Sequence, residues 1–240
     1  MICDVLEKFE TAQYKNYREL AHSDGLASVF AELIGLTANT AEQSQSIISI
    51  SNIMKLDLAL NQIKTKVFES QNFILEYIFK LPEEDQASCP SIQKTLGFLP
   101  FVISSLLVFA QNEEKEAYLE DETYENLVVA ILETLVAVCA EAKFKDIMNT
   151  HMKPLAVEVA LNFMVITRAE AEQIREDAEE YVNLTLDCCD KQTSMTIKSQ
   201  ACKLIEALCD NVYGAITFIT TFCCSAINVA LQKENGIVYD

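Results

Sequence analysis

The stretch ENLVVAILETLVAVC, residues 125–139, decides the fold. Its apolar residues Leu127, Val128, Ile131, Leu132, Leu135, Val138 and Cys139 fall at steps of three and four, the spacing that lays them along one face of an α-helix. A second stretch, TIKSQACKLIEALCDNV at 196–212, repeats the pattern with Ala201, Leu204, Ile205, Leu208, Cys209 and Val212. Shifting the first by 70 positions sets Leu135 on Ile205, Val138 on Leu208 and Cys139 on Cys209. The same shift carries the following helix with it: Val157 falls on Ile227, Val159 on Val229, Ala160 on Ala230 and Leu161 on Leu231. A unit of two helices in about forty residues, recurring after some thirty extra residues, is the sequence signature of a HEAT or armadillo repeat.

Outward from these stretches the same spacing predicts helices near 1–20, 25–36, 41–60, 62–80, 91–111, 122–141, 144–164, 168–187, 193–210 and 212–233. Period-two alternation is scarcely present. Breaks fall at Leu81-Pro82-Glu83-Glu84-Asp85, across the acidic run 113–122, and around Cys189-Asp190-Lys191-Gln192. The expected fold is all-α, a HEAT/armadillo-type solenoid of stacked antiparallel helix pairs. Its parts are helical repeats at 1–121, a helix pair at 122–164, an acidic insertion at 165–192 and a second pair at 193–240.

Composition agrees with a helical reading. Of 240 residues only five are glycine and four proline, whereas an average protein has about 7% glycine. Strands joined by tight turns need more of both. The five glycines are too scattered to assemble a glycine-rich phosphate cradle, which excludes the usual nucleotide-binding loops. A net charge of −18, from 36 acidic and 18 basic residues, repels phosphate backbones and anionic lipid heads, so direct nucleic-acid binding is not expected; the same field attracts basic partners.

The nine cysteines, Cys3, Cys89, Cys139, Cys188, Cys189, Cys202, Cys209, Cys223 and Cys224, contain no CxxC pair. Several lie on apolar helix faces, and Met1 leads into charged amphipathic sequence without a secretory apolar region. The expectation is reduced thiols packed in a core, in a cytosolic or nuclear protein. The run Val212–Leu231 carries no charge over twenty residues. Thr217, Thr220, Thr221, Ser225 and Asn228 recur along it, which suits a helix buried among other helices better than one in lipid. The apolar run Leu96–Ala110 is interrupted by Pro100 and reads as too short to span a bilayer.

Chemistry-bearing constellations are few. Glu19-Leu20-Ala21-His22 could set two metal ligands on one helical face, but a dimetal carboxylate site needs two such motifs, and the other histidine, His151, has Met148 three residues before it. Neither histidine has a cysteine nearby in sequence for Cys-His catalysis. Asn183-Leu184-Thr185 is a chance match to a glycosylation acceptor. The expectation is no metal, no cofactor and no catalysis. The sharpest feature is acidic: Glu170, Glu172, Glu176, Asp177, Glu179 and Glu180, six carboxylates within eleven residues, a projecting patch that can pair with a basic partner or serve as a solvated face.

ENLVVAILETLVAVCAEAKFKDIM at 125–148, the acidic run closing in EDAEEYV at 176–182, and TIKSQACKLIEALCDNV together resemble the central repeats of importin-β family nuclear transport receptors. The exportins that return importin-α and the large cargo importins share this pattern. The resemblance covers about residues 122–231; residues 1–121 match in style alone. Family members are several times longer, so the resemblance implies a segment of such a receptor. It implies binding of Ran GTPase and of protein cargo such as importin-α, contacts with nucleoporins, and residence in both cytoplasm and nucleus, with no membrane insertion. It also implies that the six carboxylates contact Ran or cargo, and it makes Glu180-Tyr181-Val182 a signature in which the Tyr181 ring locks the insertion to the solenoid. A HEAT scaffold unrelated to transport and a helical enzyme stay as alternatives.

Overall fold

The computed structural model describes residues 58–87, 89–112, 115, 122–165, 168–179 and 196–234. The expected helices at 1–20 and 25–36, the part of the expected helix 41–60 before residue 58, and with them Glu19 and His22, lie outside the described residues, as do Glu180, Tyr181 and the Asn183 motif. The described part is all-helical. In chain order the helices are α1 (Leu58–Phe79), α2 (Glu83–Ala87), α3 (Pro90–Ala110), α4 (Glu122–Cys139), α5 (Lys145–Pro154), α6 (Arg168–Glu176), α7 (Ile197–Asn211) and α8 (Ala215–Glu234). A short 3-10 turn, Ala142–Phe144, leads into α5.

Pro154 has no N–H to return to the preceding turn, and directly after it the backbone widens into a π-helix over Leu155–Leu161 before a last α-turn, Asn162–Met164. Helix α5 and these two segments form one rod of twenty residues, starting and ending seventy positions before α8. The sequence offset is therefore also an offset of whole elements.

Packing follows the apolar stripes. Helix α4 lies between α1 and α7, touching both along its length, while the rod packs against α3 and α7, and α8 against α7 and α5. Leu127, Val128, Leu132, Leu135 and Val138 of α4 are fully buried, as the spacing predicts. Burying five such side chains contributes about 1.5–3 kcal/mol each relative to exposure. Two polar contacts tie the helices of this core together. Asn72 on α1 donates to the Ala130 carbonyl (3.1 Å) and accepts from the Thr134 hydroxyl (2.6 Å), tying α1 to α4. Gln71 donates to Thr95 Oγ1 (3.0 Å), tying α1 to α3.

The corner between α4 and α5 is held twice. Phe144 is fully buried and meets Phe79 of α1 edge to face at 6.3 Å. Gln86 of α2 donates to the Phe79 and Leu81 carbonyls at the end of α1 and accepts from Lys143 (3.0 Å). Seventy positions on, the corner between α7 and α8 is a different object. Gly214, at the place of Phe144, has φ +78°, a left-handed conformation that glycine alone adopts without strain. Tyr213 beside it is 94% exposed. Helix α7 starts with a capping box: Thr196 accepts from the Ser199 N–H (3.2 Å) and Ser199 from the Thr196 N–H (3.1 Å).

Four expectations are corrected. The break expected between residues 60 and 62 does not exist, since α1 runs unbroken from Leu58 to Phe79 with Asn61 buried in it. The run around Pro100 is longer than it read: α3 continues through the proline for 21 residues and is long and apolar enough to cross a membrane, while Leu99, Val102, Ile103 and Leu106 along it are buried in the helical core. The acidic helix is broken at Asp177, where α6 ends at Glu176 and helix resumes at Ala178 and Glu179, and the rest of the stretch expected up to 187 lies outside the described residues. Finally, α8 is not buried among other helices: Ala215 and Ile219 are its buried residues, and from Thr220 to Ala230 every side chain is exposed apart from a half-buried Cys223.

Candidate functional site

The acidic segment leaves the rod at Val165, an extended residue 59% exposed. Helix α6 follows, nine residues with a half-buried side formed by Ala171 and Ile174. Glu172, Glu176, Asp177 and Glu179 are exposed. Glu170 lies on α6, and Glu180 and Tyr181 fall outside the described residues. The structure thus brings four of the six predicted carboxylates to one exposed end of a short helix.

Local physics does not favour that arrangement. Glu172 and Glu176 are four residues apart on one helix face, where like charges destabilise by a few tenths of a kcal/mol. Glu176 stands at the C-terminal, negative end of the helix dipole, where an anion is disfavoured by about 0.3–1 kcal/mol, and Asp177 is the non-helical residue before the helical Ala178 and Glu179. A nine-residue helix is marginal by itself. A cationic surface laid on this end would relieve both terms, and that is what the segment can do chemically.

The cysteines divide. All six described are free thiols: Cys89 and Cys139 are buried, Cys209 and Cys223 partly buried, Cys202 and Cys224 exposed. Core packing therefore fails for Cys202 and Cys224, which sit on the outward sides of α7 and α8. Burial pushes the Cys139 thiol up to about 12. Burial raises Cys89 as well, against the opposing pull of Lys143. A thiol reagent at pH 8 is expected to modify Cys202 and Cys224 within the fast phase of native labelling, and Cys89 and Cys139 only on denaturation. Site-by-site mass spectrometry of the labelled protein checks this; fast labelling of Cys139 would contradict the packing.

Charge also enters the α4–α7 seam. Gln200, buried, donates to Glu133 (3.4 Å), whose carboxyl is held above the usual carboxylate range by burial, with Lys203 opposing. Among the described residues no three His, Cys, Asp or Glu side chains are grouped to hold a metal ion, and His151 is half-buried on α5.

One surface escaped the sequence reading. Ile216, Phe222, Ile227 and Val229 on α8 are 59%, 38%, 58% and 52% exposed, Phe222 and Val229 toward one side of this uncharged stretch and Ile216 and Ile227 toward another. The threonines spread along α8 gave the signal, since they kept the run from being purely apolar, but they read equally as polar groups within a core.

Compared with protein-family models, with curated proteins and with solved structures, the chain matches none.

Proposed function

We propose that this chain is a protein-binding solenoid segment of a nuclear transport receptor, engaging Ran GTPase and protein cargo such as importin-α. The observation that carries the binding part is the order of packing: α1, α4 and α7 neighbour one another in one row, and α3, the rod and α8 follow in a second, with two successive units seventy residues apart. Helices stacked in this way expose one row as a long surface, and such arrays bind large partners through many polar contacts. The narrower transport reading rests on the resemblance of residues 122–231 and on the exposed carboxylates of α6. In it, Ran loaded with GTP biases the curvature of the array and so loads or releases cargo. Nucleoporin contacts, and residence in both cytoplasm and nucleus, belong to the same reading; catalysis, a cofactor, direct nucleic-acid binding and membrane insertion do not.

The discriminating experiment is a pull-down with GTP-locked Ran run beside the GDP form. Retention of the GTP form alone is expected. Retention of both, or of neither, removes the transport reading and leaves a scaffold unrelated to transport, which the packing order supports equally.

The acidic helix gives a second test. Replacing Glu172, Glu176 and Glu179 together by glutamine is expected to slow association with Ran or a basic cargo surface by about tenfold at low salt. The difference should shrink toward twofold at physiological ionic strength, where charges more than ~8 Å apart are screened. Melting temperature should stay within a degree or two, because exposed carboxylates contribute little to stability. Stopped-flow binding at two ionic strengths, with the longest natural form of the receptor, checks it; equal rates at low salt would reduce the patch to a solvated face.

A further inference from the structure

Beyond its first turn, α4 carries one charged residue, Glu133, and the helix lies between α1 and α7. The Glu133 side chain is half-buried and accepts from the side-chain amide of Gln200 on α7, a long contact of 3.4 Å from a residue 2% exposed. Asn72 of α1 also turns its amide toward the carboxylate, but donates to the Ala130 carbonyl at 3.1 Å. Two charged side chains face the group. Glu69 on α1 repels it and is itself paired with Lys66 at 2.7 Å. Lys203 on α7 is exposed and attracts it, without an ion pair between the two. Lys203 stands seventy positions after Glu133, so the repeat sets opposite charges at matching places of neighbouring units.

Such surroundings favour the neutral acid. Removing a carboxylate from water is costly, one long hydrogen bond from a neutral amide returns little of that cost, and a like charge nearby adds to it. The neutral acid loses nothing at Gln200. It can accept from the amide N–H, as the carboxylate does, or donate its own O–H to the amide oxygen. In keeping with this, burial holds the carboxyl above its ordinary range against the pull of Lys203, with Glu69 adding to the effect and Asn72 opposing it.

We propose that the α4–α7 seam is a proton-sensitive joint, closing more tightly when Glu133 takes up a proton and loosening when it ionises. The seam joins two successive units of the array, so the state of one carboxyl sets how readily those units part. A carboxyl that holds its proton more strongly in the folded chain than in the unfolded one contributes stability that is full below its ordinary 4.5 and is lost as the pH rises through its raised value. Acid therefore strengthens this joint, the reverse of what it does to a carboxylate held in an ion pair. The inference stands on the seam and does not depend on Ran or on transport.

The test compares the full chain with Glu133→Gln, which keeps the shape and an accepting oxygen but carries no charge, in urea titrations from about pH 8 to about pH 5. The variant is expected to have the higher midpoint at pH 8, and its lead is expected to shrink as the pH falls. Hydrogen exchange read by mass spectrometry, corrected for the intrinsic effect of pH, should show the α7 amides slowing toward pH 5 in the natural chain and not in the variant. Glu69→Gln, which removes the like charge, should move this response to lower pH. A carboxyl-carbon NMR titration of the natural chain, with the signal assigned by its loss in Glu133→Gln, should give a midpoint above 4.5. Parallel urea midpoints for the two proteins across this range overturn the proposal, as does a carbon midpoint at or below 4.5. So does α7 exchange that slows equally in both, which would assign the response to another carboxylate.

Discussion

Phe144→Ala is expected to lower the unfolding free energy by about 3–5 kcal/mol, the range for truncating a buried aromatic to alanine. The side chain is fully buried at the corner between α4 and α5, and its ring meets Phe79 at the end of α1. Removing it leaves a cavity at a point where three helices converge, and the neighbours cannot close it freely because Gln86 and Lys143 brace the same corner. Against a typical domain stability of roughly 5–15 kcal/mol this is a large fraction, so the variant should melt many degrees lower. Phe144→Leu, which keeps most of the volume, should lose about half as much or less. Urea titration of the three proteins checks the order. Equal midpoints for wild type and Phe144→Ala would mean the corner contributes no packing.

At alkaline pH the second large effect comes from Cys139. Its thiol is 4% exposed, and burial lifts it from an ordinary 9.0 to about 12. The folded state therefore holds the proton over a range where the unfolded chain releases it. Stability from this group is fully present below pH 9 and is lost as pH rises from 9 toward 12. pH 10.5 stands about 1.5 units above the unfolded thiol's ordinary 9.0, which corresponds to about 2 kcal/mol of lost stability. Lysines and tyrosines titrate in the same window, so the measurement is a comparison with Cys139→Ala, which lacks the group. The variant should be less stable by about 1 kcal/mol at pH 7, from the cavity, and more stable than wild type at pH 10.5. Stability curves that stay parallel across this range would show that the thiol is not held in the core.

The stripe on α4 was readable because an alternative burial would expose seven apolar residues at once, and no local choice competes with that. The course of α3 was readable as well, as the helix expected at 91–111; what sequence leaves open is how Pro100 is tolerated within it, since the proline removes one backbone hydrogen bond. Burial of Leu99, Val102, Ile103 and Leu106 outweighs that loss, and Ser104 donates its hydroxyl to the Pro100 carbonyl (2.8 Å). Sequence states the cost at the proline, whereas the compensation lies in what the other helices bring to it.

The candidate site was half legible. That Glu172, Glu176, Asp177 and Glu179 project from the array follows from the cost of burying unpaired carboxylates. That the helix would break at Asp177 and resume at Ala178 does not, because no glycine or proline stands there to mark a stop. The exposed state of α8 was hidden for another reason. An uncharged helix declares that it tolerates a cover, and only the arrangement of the whole chain tells whether one is supplied. Cys202 and Cys224 were misread with it, their burial having been inferred from the apolar character of their neighbours.

Gly214 sets the order in which the array comes apart. In the first unit the corner residue carries a ring that reaches back to α1, so α4 and the rod cannot loosen without opening the contact at Phe79. In the second, the corresponding position has no side chain, and α8 keeps to the rod by Ala215, Ile219 and the Lys153 ammonium over the Phe218 ring at 5.5 Å. The joint between α7 and α8 is therefore weaker than the corner between α4 and the rod. Amides of α8 should exchange with solvent through a local opening well below the global unfolding free energy, and those of α4 only through the latter. A peptidase given the native protein should nick near Tyr213 and leave the array up to α7 standing. The helix with the most exposed side chains is thus also the one freest to shift against its neighbours.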